Sequence, residues 1–228
     1  MISTMLNKIL LLRQAFFKKI NMSFYSQFGE DKILNELIPK KFIKGFYVDV
    51  GCYHPKKHSN TQMLYSRGWF GINVDMEIDK IDTFNLARPN DYNYLGAVSD
   101  KIEKVKIFRN QKYGVSSTIN PNSLNKKDVI DAGHINTVTL NTIINNSPFK
   151  NKEIDLLNID TEGNDFKVLK SLDFKIYNPK IIIIETQIKN IEEIIKSDIY
   201  LYLTQRKYIL KSWNIYSLIF TTIDYENI

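Results

Sequence analysis

The 228-residue chain has few of the residues that crosslink or interrupt a fold. It has one cysteine, Cys52, so an intramolecular disulfide and a zinc site built from several thiolates are excluded. Nine glycines and six prolines are too few for a collagen-like or low-complexity chain. No apolar run approaches the ~20 residues of a membrane span. With one cysteine and no small-residue cleavage site near the start, the expected compartment is the cytoplasm.

The apolar and charged content indicates a folded domain. Hydrophobic residues make up 43% of the chain and charged residues 25%, which is enough apolar material for a core. The length predicts one domain, or one domain with an extension. We place the domain at residues 23–228.

The net charge of +6 is concentrated at one end. Four cations lie in the first 20 residues with no acidic residue among them, and subtracting these four leaves +2 for the remainder. Apolar residues recur among them at helical spacing, which predicts a basic amphipathic helix over residues 1–22. Such a helix packs on the domain, or contacts a partner chain or a membrane surface. For a cytoplasmic protein that surface is the inner face of the membrane.

Strand-like and helix-like segments alternate along the domain. Strands are predicted at residues 46–50, 69–74, 92–98, 154–159 and 180–184, and helices at 33–38, 61–66, 78–86, 165–172 and 191–202. Residues 116–133 are polar without a clear period and predict a long loop. Two closing strands, 208–213 and 216–223, predict a hairpin. This order is typical of an α/β fold with a doubly wound, mostly parallel sheet and an antiparallel C-terminal hairpin.

Polar and glycine residues follow the predicted strands, where open parallel sheets bind ligands. Gly51 ends the first strand, and Asp75 ends the second, 24 residues later, a spacing that suits hydrogen bonds to ribose hydroxyls. Asp160 and Glu162 follow a third strand. The turn after the first strand has a single glycine and continues into Pro55, so it makes a poor cradle for a dinucleotide pyrophosphate. An adenosine ligand without pyrophosphate, such as S-adenosylmethionine, fits better.

At this point the sequence resembles the FkbM-type S-adenosylmethionine-dependent methyltransferases. The matching stretches occur in family order over roughly residues 23–190. They are YSQFGED at 25–31, YVDVG at 47–51 with His54 and Pro55, SNT at 59–61, GWFGINVD at 68–75, Arg88 with Pro89, AVSD at 97–100, DTEG at 160–163, and Glu185. The resemblance implies the class I (Rossmann-like) methyltransferase fold. Position 75 often carries Glu in that family, and the shorter Asp75 retains the role.

The resemblance also implies where the cofactor lies. Asp49, Gly51 and Asp75 line its pocket, and Ala97 and Val98 flank the adenine. Four residues belong to the motif that covers the site: Gln27, Asp31, Asn60 and Thr61. We assign Cys52 and Met76 to the same pocket, Cys52 as a lining residue because no neighbouring base would activate it as a nucleophile.

Methyl transfer to a hydroxyl needs alignment of the reactants and a base. Asp160 or Glu162 is the first candidate for that base, and His54 the second. Two other possibilities stay open: Asp160 and Glu162 together bind a divalent cation that acidifies the hydroxyl, or Glu162 caps the following helix. We predict no dedicated metal site of histidines.

The resemblance implies an acceptor that is a sugar, a glycan or a small metabolite. The polar loop predicts acceptor-binding residues at Ser116, Ser117 and Thr118, and the excess of Lys and Arg suits an acidic acceptor. A dinucleotide-dependent, sugar-modifying Rossmann enzyme is an alternative that lacks the required glycines. A nucleic-acid methyltransferase is another, but no basic run with interleaved aromatics supports nucleic-acid binding. The sequence does not specify the oligomeric state.

Overall fold

The computed structural model of the chain describes residues 24–110, 117–121 and 129–227. In chain order its elements are α1 (Glu30–Leu37), β1 (Phe46–Val50), α2 (Gln62–Ser66), β2 (Phe70–Asp75), α3 (Ile78–Ala87), β3 (Tyr92–Leu95), β4 (Ala97–Val98), β5 (Lys104–Asn110), β6 (Ser117–Thr118), β7 (Val129–Val138), α4 (Leu140–Asn146), β8 (Leu156–Ile159), α5 (Asp165–Lys170), β9 (Ile181–Glu185), α6 (Ile191–Ile194), α7 (Asp198–Thr204), β10 (Tyr208–Asn214), β11 (Ser217–Thr222) and a 3₁₀ turn (Ile223–Asn227). The predicted helix at residues 1–22 lies outside the described residues.

The main sheet has seven strands in the order β10-β11-β9-β8-β1-β2-β3. The strands from β9 to β3 are parallel, whereas β11 pairs antiparallel with both β9 and β10. The prediction of a mixed α/β fold with a mostly parallel sheet is therefore confirmed. The strand order reverses at β1, so the crevice for a ligand opens at the carboxyl ends of β1 and its neighbours β2 and β8.

Helices cover both faces of this sheet because alternate strand residues point to opposite sides. On one face Val48 and Val50 of β1 pack with α4, α5 and α7. On the other face Tyr47 packs with Leu34 of α1 and Leu64 of α2. Each fully buried aliphatic or aromatic side chain contributes ~1.5–3 kcal/mol. These two layers hold the strand ends rigid at the crevice.

A second, four-stranded sheet in the order β4-β7-β5-β6 stands beside the crevice. The chain leaves the main sheet at Gly96, whose N–H donates to the Asp75 carbonyl (2.9 Å). It runs through β4 to β7 and returns through α4 to β8. The sheet is antiparallel except where β4 meets β7. It therefore brings β6 next to the ligand crevice.

Three predicted elements differ from the structure. The strand predicted at 92–98 is broken at Gly96 into β3 and β4, which belong to different sheets. The helix predicted at 191–202 is two helices, because the Ser197 side chain accepts from the Tyr200 N–H and starts α7. The loop predicted at 116–133 contains β6 and the first half of β7.

Candidate functional site

A cavity of about 270 Å³ opens at the carboxyl ends of β1, β2 and β8. It brings together most of the residues that the sequence assigned to a cofactor: Gln27, Asp49, Gly51, Cys52, Asn60, Asp75, Met76, Ala97 and Val98. Asp160, Glu162 and Ser117 line the same cavity. Residues as far apart in sequence as Gln27 and Asp160 thus meet in one space.

The turn after β1 is held tightly between its neighbouring strands. Gly51 has φ +80°, a left-handed conformation that glycine adopts without strain. Its N–H and that of Cys52 donate to the Val74 carbonyl (2.8 and 3.1 Å). A Cβ on Gly51 would lie 1.7 Å from the Asp160 carbonyl oxygen. The glycine therefore lets the β1 turn touch the end of β8, which sets the floor of the cavity.

Cys52 lies buried in this turn and packs against Ile81 and Phe84 of α3. Burial raises the pKa of its thiol, and the nearby Asp75 and Asp49 carboxyls raise it further. The thiol is therefore kept in its neutral, unreactive form. This environment fits a lining role and not that of a nucleophile.

Asp75 at the end of β2 is well supplied with hydrogen bonds. It accepts from the backbone N–H groups of Glu77 (3.0 Å) and Tyr53 (3.2 Å). Lys80 lies 3.5 Å from its Oδ2 and 2.8 Å from Glu77 Oε1. Burial raises the pKa of Asp75, and the Lys80 charge and the two backbone donors oppose that rise. Lys80 lines the cavity and had not been assigned from the sequence.

Asp49 is buried inside β1 and is held by side chains from two other elements. Thr61 Oγ1 donates to its Oδ2 (2.8 Å) and Asn158 Nδ2 to its Oδ1 (2.8 Å). Burial raises the pKa of Asp49, while these bonds and the Arg88 charge act against the rise. Asn158 in turn accepts from Asn60 Nδ2 (2.9 Å), which carries the network to the covering loop.

Two predicted cofactor residues, Asp31 and Thr61, do not line the cavity. Thr61 is fully buried and positions Asp49. Asp31 accepts from the Tyr25 N–H (2.8 Å) and from Ser26 Oγ (2.7 Å). These bonds fold the short segment that carries Gln27 over the cavity. Both residues therefore support the site through their neighbours.

Arg88 is a buried cation beneath the cavity to which the sequence assigned no role. Its Nη1 donates to Tyr47 Oη (2.9 Å) and Thr61 Oγ1 (2.9 Å), and its Nη2 to the Pro55 carbonyl (2.6 Å). The guanidinium also lies 4.9 Å from the Tyr65 ring centroid. The Tyr47 hydroxyl bonds to Asp91, so Arg88 joins β1, β2, α2 and the β1 turn into one polar network.

Four carboxyl groups cluster where β8 and β9 end: Asp160, Glu162, Asp165 and Glu185. Asp165 accepts from the N–H groups of Thr161 (2.7 Å) and Gly163 (2.9 Å), which shapes the turn that carries Glu162 at φ +54°. Asp160 is open to the cavity, while protein surrounds it on its other sides. This partial burial, together with Asp165 and Glu162, raises the pKa of Asp160 to about 8.

Glu185 lies next to Asp160 at neighbouring strand ends, because Ile184 of β9 pairs in register with Ile159 of β8. Burial raises the pKa of Glu185 to about 10, with the Asp160, Asp165 and Glu162 charges adding to the rise. The sequence motif included Glu185 without giving it a function. The fold assigns it to the same cluster because β9 lies next to β8.

The second sheet supplies the opposite wall. Ser117 lines the cavity, and its Oγ accepts from Arg109 Nε (3.3 Å); Arg109 also pairs with Glu77 (2.8 Å). Thr118 Oγ1 donates to the Glu162 carbonyl (2.9 Å). Ser116, the third predicted acceptor residue, lies outside the described residues. The contacts of β6 therefore tie the acceptor side to the β2 and β8 ends.

His54 is not among the described residues that line the cavity, whereas His58 is. The Nδ1 atom of His54 accepts from the N–H groups of Lys56 and Lys57 (both 3.0 Å). Partial burial and the charges of Lys57 and Lys56 lower its pKa. In this structure His54 stabilises the turn, and its role as a base stays a prediction.

Neither a metal cluster nor a membrane helix is found in the described part of the chain. There, no group of three or more His, Cys, Asp or Glu side chains is arranged to hold a metal ion. No helix within the described ranges is long and apolar enough to cross a membrane.

Comparison with protein-family models matches residues 49–210 to the methyltransferase FkbM domain. No curated protein and no solved structure matches the chain significantly. The matched range covers more than half of the chain, from Asp49 in β1 to β10. It includes the β1 turn, Asp75 and the carboxyl cluster at the ends of β8 and β9. The chain therefore belongs to the FkbM methyltransferase domain family.

Proposed function

We propose that this protein is an S-adenosylmethionine-dependent O-methyltransferase that acts on a hydroxyl of a sugar, a glycan or a small polar metabolite. The observation that carries the proposal is the single cavity joining the Gly51 turn, Asp75 and the Asp160 and Glu162 carboxyls. The strand order of the main sheet, with its reversal at β1 and its antiparallel β11, supports a class I methyltransferase fold.

The residues around the cavity suit this cofactor. The Asp75 carboxylate would accept hydrogen bonds from the ribose hydroxyls, and Ala97 and Val98 offer an apolar contact for adenine. Asp49, Asp75, Asp160 and Glu162 outnumber Lys80, the single lysine or arginine among the described lining residues. Such a wall favours a ligand with a positive charge, as the sulfonium and the α-amino group would provide.

The cofactor supplies an activated methyl group when bound. The chain must then hold the acceptor in line with that methyl group, an alignment that contributes several kcal/mol. We assign Asp160 as the group that accepts the hydroxyl proton, because it opens to the cavity beside the β1 turn. Glu162 stays the second candidate for this role.

The acceptor would enter between the β8 end and β6. The Ser117 hydroxyl lines this side, and the nearby carboxyls disfavour a phosphorylated or acidic acceptor. This lining supports neutral or cationic hydroxyl compounds as acceptors in preference to the acidic acceptor that the overall charge suggests. Mass spectrometry of metabolites and glycans from cells with and without the protein would identify a species that loses one methylene mass.

Calorimetric titration of the full chain with S-adenosylmethionine, NAD and an oligonucleotide tests the cofactor class. Of these three ligands, we expect only S-adenosylmethionine to bind. Asp75→Asn should weaken that binding by about 10–100-fold, because a hydrogen bond to a charged group contributes ~1.5–3 kcal/mol. Asp79→Asn, an exposed carboxylate on α3, is the matched control. Binding of NAD without S-adenosylmethionine would overturn the proposal.

Activity assays of Asp160→Asn and Glu162→Gln, each with and without EDTA, test the chemistry. We expect Asp160→Asn to lose most activity and EDTA to have no effect. Full activity of both variants would exclude a carboxylate base, and loss of wild-type activity in EDTA would indicate a divalent cation instead.

A further inference from the structure

Exposed apolar side chains lie at one side of the cavity mouth. On the segment that folds over the cavity, Phe24 and Tyr25 are 45% and 37% exposed. The turn between β10 and β11 carries Ile215, which is 53% exposed. Ser217, two residues after Ile215, pairs with Glu185 at the carboxyl end of β9, so this turn lies at the same edge of the main sheet as the cavity. We call the three exposed side chains the apolar rim.

Hydrogen bonds and a ring contact hold the two parts of the apolar rim together. Asn214 Nδ2 donates to the Phe28 carbonyl (2.7 Å), and Ser217 Oγ donates to Glu30 Oε1 (2.9 Å). The half-buried rings of Phe28 and Tyr216 lie 5.4 Å apart, measured between their centroids. The segment over the cavity and the β10–β11 turn therefore form one continuous surface.

Ile215 has a backbone conformation that isoleucine disfavours. Its φ is +53°, in the left-handed region, where a β-branched residue is an outlier. Glycine or asparagine would adopt the same conformation at a lower cost. Because the side chain is also exposed, its burial within the domain does not offset that cost. A bulky apolar residue at this position therefore indicates a role other than folding.

Positive charge adjoins the apolar rim. The Ser59 N–H donates to the Tyr25 carbonyl (3.0 Å), and the loop that carries Ser59 also presents the exposed Lys56 and Lys57. In the sequence, residues 1–22 carry four cations and no acidic residue, and they immediately precede the segment that forms the rim. Cations beside aromatic and aliphatic side chains are the combination that binds anionic lipid surfaces.

We propose that the apolar rim docks the mouth of the cavity on an anionic lipid bilayer, and that the methyl acceptor is a hydroxyl of a lipid-anchored sugar or glycan. The choice of acceptor rests on the proposed function. Gln27 belongs to the segment of the rim and also lines the cavity, so a bilayer at the rim lies at the cavity entrance. An acceptor anchored in that bilayer is held at a high effective concentration. The acidic lining favours entry of its sugar over entry of a lipid phosphate.

The apolar rim adds to membrane attachment by residues 1–22 and does not replace it. A single weak anchor gives only marginal, reversible binding, and stable attachment takes two signals. The three exposed side chains are one signal, and the predicted basic amphipathic segment is the other. The chemical step is that of the proposed function: the S–CH₃ bond breaks with its electron pair left on sulfur, an O–CH₃ bond forms, and the hydroxyl proton passes to Asp160 or Glu162.

Sedimentation of the full chain with lipid vesicles measures the docking. We expect binding to vesicles of phosphatidylglycerol and phosphatidylcholine, and Phe24→Ser/Ile215→Asn should weaken that binding about tenfold, because two apolar side chains no longer leave water. Asparagine tolerates the left-handed conformation at position 215, so this variant should fold. Leu86→Ser/Ile176→Asn removes two exposed apolar side chains at the opposite edge of the sheet and should bind as the wild type does. Equal binding of the rim variant and the wild type would overturn the inference.

Quenching by brominated lipid identifies which surface of the protein touches the bilayer. Trp213 of β10 donates its Nε1–H to the Ile215 carbonyl (3.0 Å), whereas Trp69, the other tryptophan, is buried in the core. We expect brominated phosphatidylcholine in the anionic vesicles to quench the wild-type emission and to have little effect on Trp213→Phe. An unquenched Trp213 in vesicle-bound protein would show that a different surface docks, and would overturn the inference.

Transfer of a tritiated methyl group from S-adenosylmethionine to the membrane and soluble fractions of cells that lack the protein tests the acceptor class. We expect label in material that organic solvent extracts, and less of it with Phe24→Ser/Ile215→Asn, whose affinity for S-adenosylmethionine should equal that of the wild type. Label in water-soluble compounds alone would overturn the inference while leaving the proposed function intact. Failure to bind S-adenosylmethionine would instead overturn the proposed function, and the choice of acceptor with it.

Discussion

At the scale of single residues, Arg88 illustrates how a buried charge organises the site. Its guanidinium is fully buried and donates to side chains or backbone from β1, α2 and the β1 turn. Two acidic groups balance the Arg88 charge indirectly. Asp49 is linked to the guanidinium through the Thr61 hydroxyl, and Asp91 is linked to it through the Tyr47 hydroxyl. Removing one partner of such a network leaves several buried polar groups unsatisfied.

Arg88→Met should therefore lower the free energy of unfolding by about 3–5 kcal/mol, measured by urea denaturation. Cofactor binding should weaken as well, because Thr61 and Asp49 lose their anchor. Lys32→Met, which removes an exposed i,i+4 ion pair with Glu36, should leave stability unchanged within error. Wild-type stability in Arg88→Met would show that the network is not needed for folding.

From the sequence, the role of a residue is harder to infer than whether the residue belongs to the site. The strand-end pattern indicated Gly51, Asp75 and Asp160, and all three line the cavity. Asp31 and Thr61 were assigned to the cofactor but face other side chains of the protein. Their roles depend on which side chains meet across the fold. No sequence pattern distinguishes Lys80, and its place in the site becomes evident only from its ion pairs with Asp75 and Glu77.

At the scale of elements, the β1 turn depends on one backbone contact. Gly51→Ala would place a Cβ 1.7 Å from the Asp160 carbonyl oxygen and would also strain a left-handed residue. We expect a loss of more than ~3 kcal/mol of stability, or failure to fold, measured by thermal and chemical denaturation.

Gly29→Ala is the matched control for this substitution. Gly29 has a similar φ of +88°, but no atom lies within 4 Å of the place that a Cβ would occupy there. The cost there should be limited to the backbone term of ~1–2 kcal/mol. Equal losses at the two glycines would mean that the close approach to Asp160 is not what requires glycine at position 51.

Errors in the predicted elements share a physical cause. Buried strands such as β9 carry a continuous apolar run that marks them in the sequence. In β7, Ile130, Asp131, Ala132 and His134 are exposed. The sequence of this strand therefore lacks the alternation of buried and exposed positions that would predict it. That strand exists because β5 pairs with it, and pairing between distant segments leaves no local signal.

At the scale of the whole molecule, the raised carboxyl pKa values predict how stability depends on pH. The pKa of Asp160 rises from 3.8 to about 8, and that of Glu185 rises from 4.5 to about 10. Between the ordinary pKa and the raised pKa of each group, the folded state binds more protons than the unfolded state, so stability falls as pH rises. Burial shifts the pKa values of Asp49, Asp75, Asp91 and Asp165 in the same direction.

The melting temperature of the ligand-free protein should therefore fall between pH 6 and pH 9. Glu185→Gln should flatten this dependence, because it removes one of the two shifted groups, while the exposed-site variant Glu193→Gln should follow the wild type. Differential scanning calorimetry across this range is the measurement. A melting temperature that rises with pH would contradict the burial of these carboxyl groups.

The basic segment at residues 1–22 predicts a second property of the whole chain. We propose that it attaches the protein to anionic membrane surfaces, since its four cations lie among apolar residues at helical spacing. Deleting residues 1–22 should abolish sedimentation with anionic liposomes, whereas neutral liposomes should bind neither form. Unchanged binding after the deletion would exclude this role.

The local order of the chain and its family could be inferred without any structure. Buried strands and the residues at their ends are recorded in apolar runs, glycine turns and acidic positions, because burial and backbone geometry constrain each residue type directly. Which strand ends become neighbours is set by strand order, and the placement of β9 beside β8 is what brings Glu185 next to Asp160. The raised pKa values of these two carboxyl groups follow from desolvation and from the acidic neighbours that the fold assembles around them, which neither segment carries alone.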